Sequence, residues 1–257
     1  MKLLAKIALF FMLAGMVLAV TGLALGANTN IYWDRGFQIG ERAGRGYDLQ
    51  FSEEFDSVQI HFNLANLTIE RGDSFRLHGY YPNSALAIDE SDGTLRVNSK
   101  GRRGGGINIG FIGTQREGHL TLTIPHDVVL ADLNVSLNAG NINIRDIEAE
   151  RVHILSDLGN VNATRVQFGN ARIESAVGNV DVSGVLFGET RMVSDLGNVA
   201  VTLEVSEHEV NWNASAGLGQ VHHNGQNRGS AASGHSRNPS LTLDMRSGVG
   251  NVDIRFR

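Results

Sequence analysis

The feature that most constrains the fold is a 19-residue repeat in the second half of the chain. The hexapeptide SDLGNV occurs at residues 156–161 and again at 194–199. Four successive units of this length align without a gap: ADLNVSLNAGNINIRDIEA, ERVHILSDLGNVNATRVQF, GNARIESAVGNVDVSGVLF and GETRMVSDLGNVAVTLEVS. A period of about 20 residues predicts a solenoid, because one unit alone has no neighbour against which to bury its apolar side chains.

Four positions of the unit are apolar in every copy, namely the fifth, ninth, twelfth and fourteenth. They are occupied by Val135, Ile154, Ile173 and Met192; by Ala139, Leu158, Val177 and Leu196; by Ile142, Val161, Val180 and Val199; and by Ile144, Ala163, Val182 and Val201. Alternation with polar residues indicates half-buried strands. We therefore predict an all-β, β-helix-like solenoid of eight to ten coils, stacked about 4.8 Å apart with all four columns inside.

The dipeptide Gly-Asn recurs at one place in these units. The residues are Gly140, Asn141, Gly159, Asn160, Gly178, Asn179, Gly197, Asn198, Gly250 and Asn251, with Gly219 and Gln220 as a near match. Glycine readily adopts the positive φ of a sharp corner, and an asparagine side chain bonds nearby backbone. The pattern predicts a structural turn, used once per coil, whose amides stack in a polar ladder.

The N-terminus carries a separate signal. Lys2 and Lys6 precede an uncharged apolar run from Ile7 to Ala27. A helix of that length spans roughly 30 Å, the thickness of the bilayer core. We expect a transmembrane signal anchor with the C-terminal domain extracytoplasmic. A cleaved signal peptide and a buried soluble helix are the alternatives.

The predicted organisation has three parts: residues 1–30 as anchor, 31–55 as tether and 56–257 as a single solenoid domain. Two segments interrupt the pattern. Lys100 to Gly118 is rich in glycine, and His222 to Pro239 is polar, which predicts a surface loop or a disordered insertion. Since an open-ended solenoid exposes unpaired strand edges, end-to-end self-association is a further expectation.

Reactive groups are sparse. Cysteine is absent, and neighbouring residues on a strand, such as His222 and His223, face opposite ways, so we predict no metal or other cofactor. After residue 27 the chain carries 20 basic and 27 acidic residues, a net charge of −7 that argues against nucleic acid. One alternative remains for catalysis: Asp157 and Asp195 share a column and resemble the carboxylate pair of a polysaccharide-active β-helix enzyme.

The chain resembles a bacterial family described as β-strand-repeat "putative adhesins", a domain of unknown function. The resemblance lies in GTLRV at 93–97, in LTLTIPHDVVLADLNVSLNAGNINI at 120–144 and in the GNV series that follows. It covers roughly residues 55–257. It implies a non-enzymatic, membrane-anchored cell-envelope protein, an adhesin, a scaffold or a protein associated with envelope stress. An envelope glycan or a surface protein is the implied partner, and the resemblance supplies no catalytic residues.

Overall fold

The computed structural model describes residues 31–33, 37–39, 45–81, 86–100 and 118–257. Nearly all of the regular structure in these residues is β-strand. The predicted anchor, residues 1–30, lies outside them. Within the described ranges, no helix is long and apolar enough to cross a membrane.

The described residues fall into two compact units. One contains β1 and β2, an antiparallel hairpin, and the other contains β3 to β22. The strands are β1 (Ile31–Trp33), β2 (Phe37–Ile39), β3 (Arg45–Gln50), β4 (Ser57–Leu64), β5 (Asn66–Gly72), β6 (Arg76–Tyr81), β7 (Leu86–Ser91), β8 (Thr94–Ser99), β9 (His119–Pro125), β10 (Leu130–Ala139), β11 (Ile142–Arg145), β12 (Glu148–Leu158), β13 (Val161–Val177), β14 (Val180–Leu186), β15 (Gly188–Leu196), β16 (Val199–Leu203), β17 (Val210–Leu218), β18 (Val221–His223), β19 (Gln226–Asn227), β20 (Ala231–Gly234), β21 (Leu241–Val249) and β22 (Val252–Phe256). A 3-10 helix spans Glu207–Glu209.

The second unit is a stack of parallel rungs. Each rung has two strand segments, which are joined at a corner wherever the connection between them is described. In the central part of the chain each segment pairs in parallel with its counterpart 19 residues further along. Val161 pairs with Val180, and Val180 pairs with Val199. The prediction of an all-β, solenoid-like fold is confirmed.

Spatial order departs from chain order at both ends of the stack. The eight rungs among the described residues run β8/β9, β4/β5, β10/β11, β12 with the first half of β13, the second half of β13 with β14, β15/β16, β21/β22 and β17/β18. The C-terminal strands β21 and β22 are therefore inserted between β15/β16 and β17/β18. A 19-residue period does not reveal this order.

Antiparallel strands cover both end rungs. At one end β6 pairs with β9 and β7 with β8, and β3 pairs with β6. At the other end β19 pairs with β18 and β20 with β17. The polar segment from His222 to Pro239, predicted as a loop or a disordered insertion, thus supplies two edge strands. Such short antiparallel covers interrupt the parallel ladder through which coils would add end to end.

The hydrophobic core is one continuous cluster, in which apolar side chains from successive rungs stack in columns. Ile173, Val180 and Met192 have no exposed surface, as expected for the fifth and twelfth positions. The ninth position was predicted to face inward, and this prediction is wrong. Leu158 is 55% exposed and Leu196 is 51% exposed, because both residues immediately precede the corner glycine, where the strand bends and the side chain points outward.

Candidate functional site

The Gly-Asn corners stack directly over one another. At each step the backbone N–H of one corner residue donates to the side-chain oxygen of the asparagine on the previous rung, at 2.8 to 3.0 Å. The ladder comprises Asn66, Asn141, Asn160, Asn179, Asn198, Asn251 and Gln220, in that order. It brings together all five asparagines singled out in the sequence, and it extends to Asn66, which the Gly-Asn pattern misses because alanine precedes it.

The corner glycines leave no space for a side chain. Gly178 has φ +147°, and a Cβ placed there would lie 2.0 Å from the carbonyl oxygen of Gly159. Buried serines support the same carbonyls: Ser194 Oγ donates to Gly178 O at 2.7 Å, and Ser247 Oγ donates to Gly197 O at 2.8 Å. The recurring SDLGNV is therefore a corner whose serine, glycine and asparagine each have a structural contact.

A groove of about 540 Å³ crosses the outer face of the stack and is the best candidate for a binding site. It crosses six consecutive rungs, those of β4, β10, β12, β13, β15 and β21, a length of roughly 24 Å. Its lining residues are Gln59, Asp132, Leu133, Asn134, Arg151, Val152, His153, Asn170, Ala171, Arg172, Glu189, Thr190, Arg191, Thr242 and Asp244. Two outward-facing columns form the walls, and inward-facing residues such as Ala171 form the floor.

Three arginines and three carboxylates line this groove, so its charges balance: Arg151, Arg172, Arg191, Asp132, Glu189 and Asp244. Arg151 donates through Nε and Nη2 to the two carboxylate oxygens of Asp132, both at 2.7 Å. This bidentate hydrogen bond lowers the pKa of Asp132. Arg191 Nη1 lies 2.8 Å from Asp244 Oδ2. The groove therefore presents fixed donors and acceptors side by side without a dominant charge.

Two of the three carboxylates in the groove are engaged by arginine side chains. A glycosidase needs one carboxylic acid with a raised pKa beside a carboxylate. Asp132 has the opposite perturbation, and Asp244 is held by both Arg191 and Arg246. A hydroxyl-rich ligand, by contrast, can donate to the carboxylates and accept from the guanidinium groups.

The other candidate residues from the sequence do not join this groove. Asp157 and Asp195 are exposed and two rungs apart, roughly 10 Å at regular spacing, and neither lines the groove. His222 Nδ1 lies 3.5 Å from Asp253 Oδ1, whereas His223 Nε2 lies 3.0 Å from Glu207 Oε1. In the described part of the chain no three His, Asp or Glu side chains cluster as a metal site would require.

Asp181 lies outside the groove, on the outer face of strand β14. It is two rungs from Asp253 on β22, and the small Ala200 on β16 lies between them. The residue as a whole is exposed, but partial desolvation of its carboxyl raises the pKa of Asp181, and the negative charge of Asp253 raises it further. Arg255 opposes the shift.

We expect Asp181→Asn to raise the melting temperature slightly at pH 7. A carboxyl with a raised folded-state pKa stabilises the fold below its unfolded value of 3.8, and this contribution is lost as the pH rises through the folded value. The gain should therefore vanish near pH 3. Asp132→Asn is the control with the opposite sign, since the pKa of Asp132 is lowered. Equal melting shifts for the two variants at pH 7 would contradict the assignment.

A curled stack of parallel β-rungs with glycine corners defines a solenoid-like β-repeat domain. The chain belongs to the family described as Toastrack DUF4097, whose model matches residues 55–254. The resemblance drawn from the repeat columns is thereby confirmed. A comparison with curated proteins gave no significant match.

Three solved structures are similar in part. A "putative cell adhesion protein" from Clostridium sporogenes has a TM-score of 0.44 and 14% identity, over 84% of this chain and 100% of that one. A "putative adhesin" from Bacteroides fragilis has a TM-score of 0.36 and 14% identity, over 83% of this chain and 97% of that one. A "putative lipid binding protein" from Parabacteroides distasonis has a TM-score of 0.36 and 13% identity, over 82% of this chain and 96% of that one. These values are too low to transfer what those proteins bind.

The groove was not anticipated from the sequence. Its polar walls occupy the outward positions of the repeat, and no single motif marks those positions. A signal was present: Asp132 and Arg151 are 19 residues apart, as are Asp146 and Arg165. In a coil of that length, such a spacing places an acid beside a base on the next rung.

Proposed function

We propose that the chain is a non-enzymatic binding protein of the cell envelope, an adhesin or scaffold displayed outside the cytoplasmic membrane by its N-terminal apolar segment. Its groove binds an extended, uncharged glycan. The observation that supports this most directly is a groove across six rungs that holds two arginine–carboxylate pairs, Arg151 with Asp132 and Arg191 with Asp244. Each pair offers a linear, polyhydroxylated chain a donor beside an acceptor.

The charge balance favours a neutral glycan over a polyanion. A polyanion site needs cations that are free to pair with the ligand, and binding there weakens steeply with salt. Here Arg151 and Arg191 each have a carboxylate partner within 2.8 Å. Hydrogen bonds to charged groups contribute about 1.5–3 kcal/mol each, so a few contacts suffice for specific binding.

The test is glycan binding by the full chain, measured on an array of neutral and acidic polysaccharides and by affinity electrophoresis. Arg151→Ala should weaken binding of the bound glycan about tenfold, the loss of one charged hydrogen bond.

Arg165→Ala is the matched control, because Arg165 makes the same bidentate contact with Asp146, at 2.6 and 2.7 Å, away from the groove. Its affinity should equal that of the wild type. Equal losses in the two variants, or tighter and salt-sensitive binding of a polyanion such as heparin, would count against the proposal.

A further inference from the structure

An apolar stripe runs along the outside of the stack at the ninth position of the repeat. We define the apolar stripe as Leu64, Ala139, Leu158, Val177, Leu196, Val249 and Leu218, which pair rung to rung in that order. Five of them are large and exposed: 55% for Leu158, 42% for Val177, 51% for Leu196, 45% for Val249 and 73% for Leu218. At about 4.8 Å per rung the stripe is roughly 29 Å long.

Scattered apolar residues on a surface need no explanation, but a continuous row does. Nothing in the corner geometry requires an apolar side chain here. The requirement falls on the next two residues, the glycine with positive φ and the asparagine of the ladder. Five exposed apolar residues on successive rungs therefore indicate a surface that is covered by something else.

The spacing of the stripe identifies what covers it. Side chains on one face of an extended peptide repeat about every 6.8 Å, and those along a helix about every 5.4 Å per turn. Neither stays in step with a 4.8 Å ladder over seven rungs. A second ladder with the same repeat stays in step, and paired sheets then form a dry interface of interdigitated side chains.

The flanks of the stripe select the orientation. The asparagine ladder lies on one side, where the amide nitrogens of Asn160 and Asn198 each donate one of their two N–H groups to the previous rung. The column of residues before the stripe lies on the other side, and Asp157 and Asp195 are its two charged members. When two stripes face each other in parallel about a two-fold axis along the stack, Asp157 and Asp195 of one copy meet the amide ladder of the other.

We infer that the apolar stripe is a homotypic interface: a second copy of this chain packs stripe against stripe, side by side and parallel. Each stripe residue then lies opposite its own counterpart across the two-fold axis. The negative charges of Asp157 and Asp195 beside the stripe disfavour an anionic lipid surface as the occupant. The groove stays open in the pair, because Asp132 and Asn134 lie five or more residues before Ala139, roughly 17 Å or more along the strand. The inference is thus independent of glycan binding.

Absence of cysteine from the chain makes the test direct. Single variants Val177→Cys, Leu218→Cys and Phe187→Cys of the full chain are expressed, treated in intact cells with a bifunctional maleimide and run on denaturing gels. The reagent should bridge about 10 Å, the distance between facing sheets, because a direct disulfide needs Cα atoms about 4.4–6.8 Å apart. We expect the two stripe variants to give roughly tenfold more cross-linked dimer than Phe187→Cys, an exposed apolar residue outside the stripe.

Leu218 distinguishes the two orientations. In an antiparallel pair the central Val177 still meets itself, but Leu218, at one end, meets Leu64. A cross-link at Val177 without one at Leu218 would therefore overturn the parallel arrangement. Dimer at neither position, with both cysteines open to a water-soluble maleimide, would overturn the interface. Protection from the maleimide by lipid vesicles, without any dimer, would assign the stripe to a membrane surface instead.

A second set of variants separates stripe contact from association through the N-terminal segment. Leu158→Asp and Leu196→Asp, introduced together into Val177→Cys, should abolish its cross-link. Both positions are exposed, so the circular dichroism spectrum should be unchanged. A cross-link that persists undiminished would mean that another part of the chain holds the two copies together.

Discussion

Gly178→Ala is expected to unfold the stack at temperatures where the wild type is intact. The new Cβ would lie 2.0 Å from the carbonyl oxygen of Gly159 and 2.5 Å from its carbon, and both are backbone atoms held by the neighbouring rungs. The φ of +147° is also unfavourable for any residue with a side chain. We expect a loss of about 4 kcal/mol or more in the free energy of unfolding, and a melting temperature lower by roughly 10 °C or more.

Thermal unfolding followed by circular dichroism measures this effect. Gly46→Ala is the matched control, because a Cβ at Gly46, in strand β3, meets no atom within 4 Å. The free energy of unfolding of this control should change by less than about 0.5 kcal/mol. If the two variants melted together, the corner could not be as closely packed as the structure shows.

Phe168→Ala is expected to have the next largest effect. Phe168 has no exposed surface, and its rung neighbours are Ala149 on one side and Leu186 on the other. Because alanine on one side is too short to fill the space left by the ring, most of the cavity should persist. Loss of a buried phenylalanine under these conditions costs about 3–5 kcal/mol.

Urea unfolding of Phe168→Ala and Phe187→Ala, side by side, checks this prediction. Phe187 is 45% exposed, so its truncation should cost less than about 1 kcal/mol. A solenoid need not unfold in a single step, so the whole transition should be compared as well as its midpoint. Equal stabilities would argue that Phe168 is not a core residue.

Much of the fold was accessible from the repeat. Strand pairs such as Val161 with Val180 follow from spacing alone, because a coil of constant length places each residue beside its counterpart. The corner glycines follow too, since only glycine combines positive φ with a backbone approach as close as that at Gly178. The contribution of the buried serines could not be read in the same way, because a serine hydroxyl finds its acceptor, Gly178 O for Ser194, only when two rungs meet.

The candidate binding surfaces were less accessible. The groove depends on the pairing of β21 with β15, which brings Asp244 beside Arg191 although the two residues lie far apart in the sequence. The ninth column was assigned to the core because Leu158 and Leu196 are apolar. The bend at the corner turns them outward, and alternation along a strand gives no warning of a bend.

The amino-acid sequence alone determined that this protein is a stack of β-rungs, with a corner of glycine and asparagine in each of its central coils. Local conformational preference and a constant coil length suffice for that. Only the tertiary structure decided which rungs lie at the ends. The apolar alternation of β21 and β22 is compatible with a place beside β15 and β16 and also with a place beside β17 and β18. Their place between the two, pairing with both, satisfies backbone hydrogen bonds on both sides, and this outcome depends on the assembled edges and not on any residue's own preference.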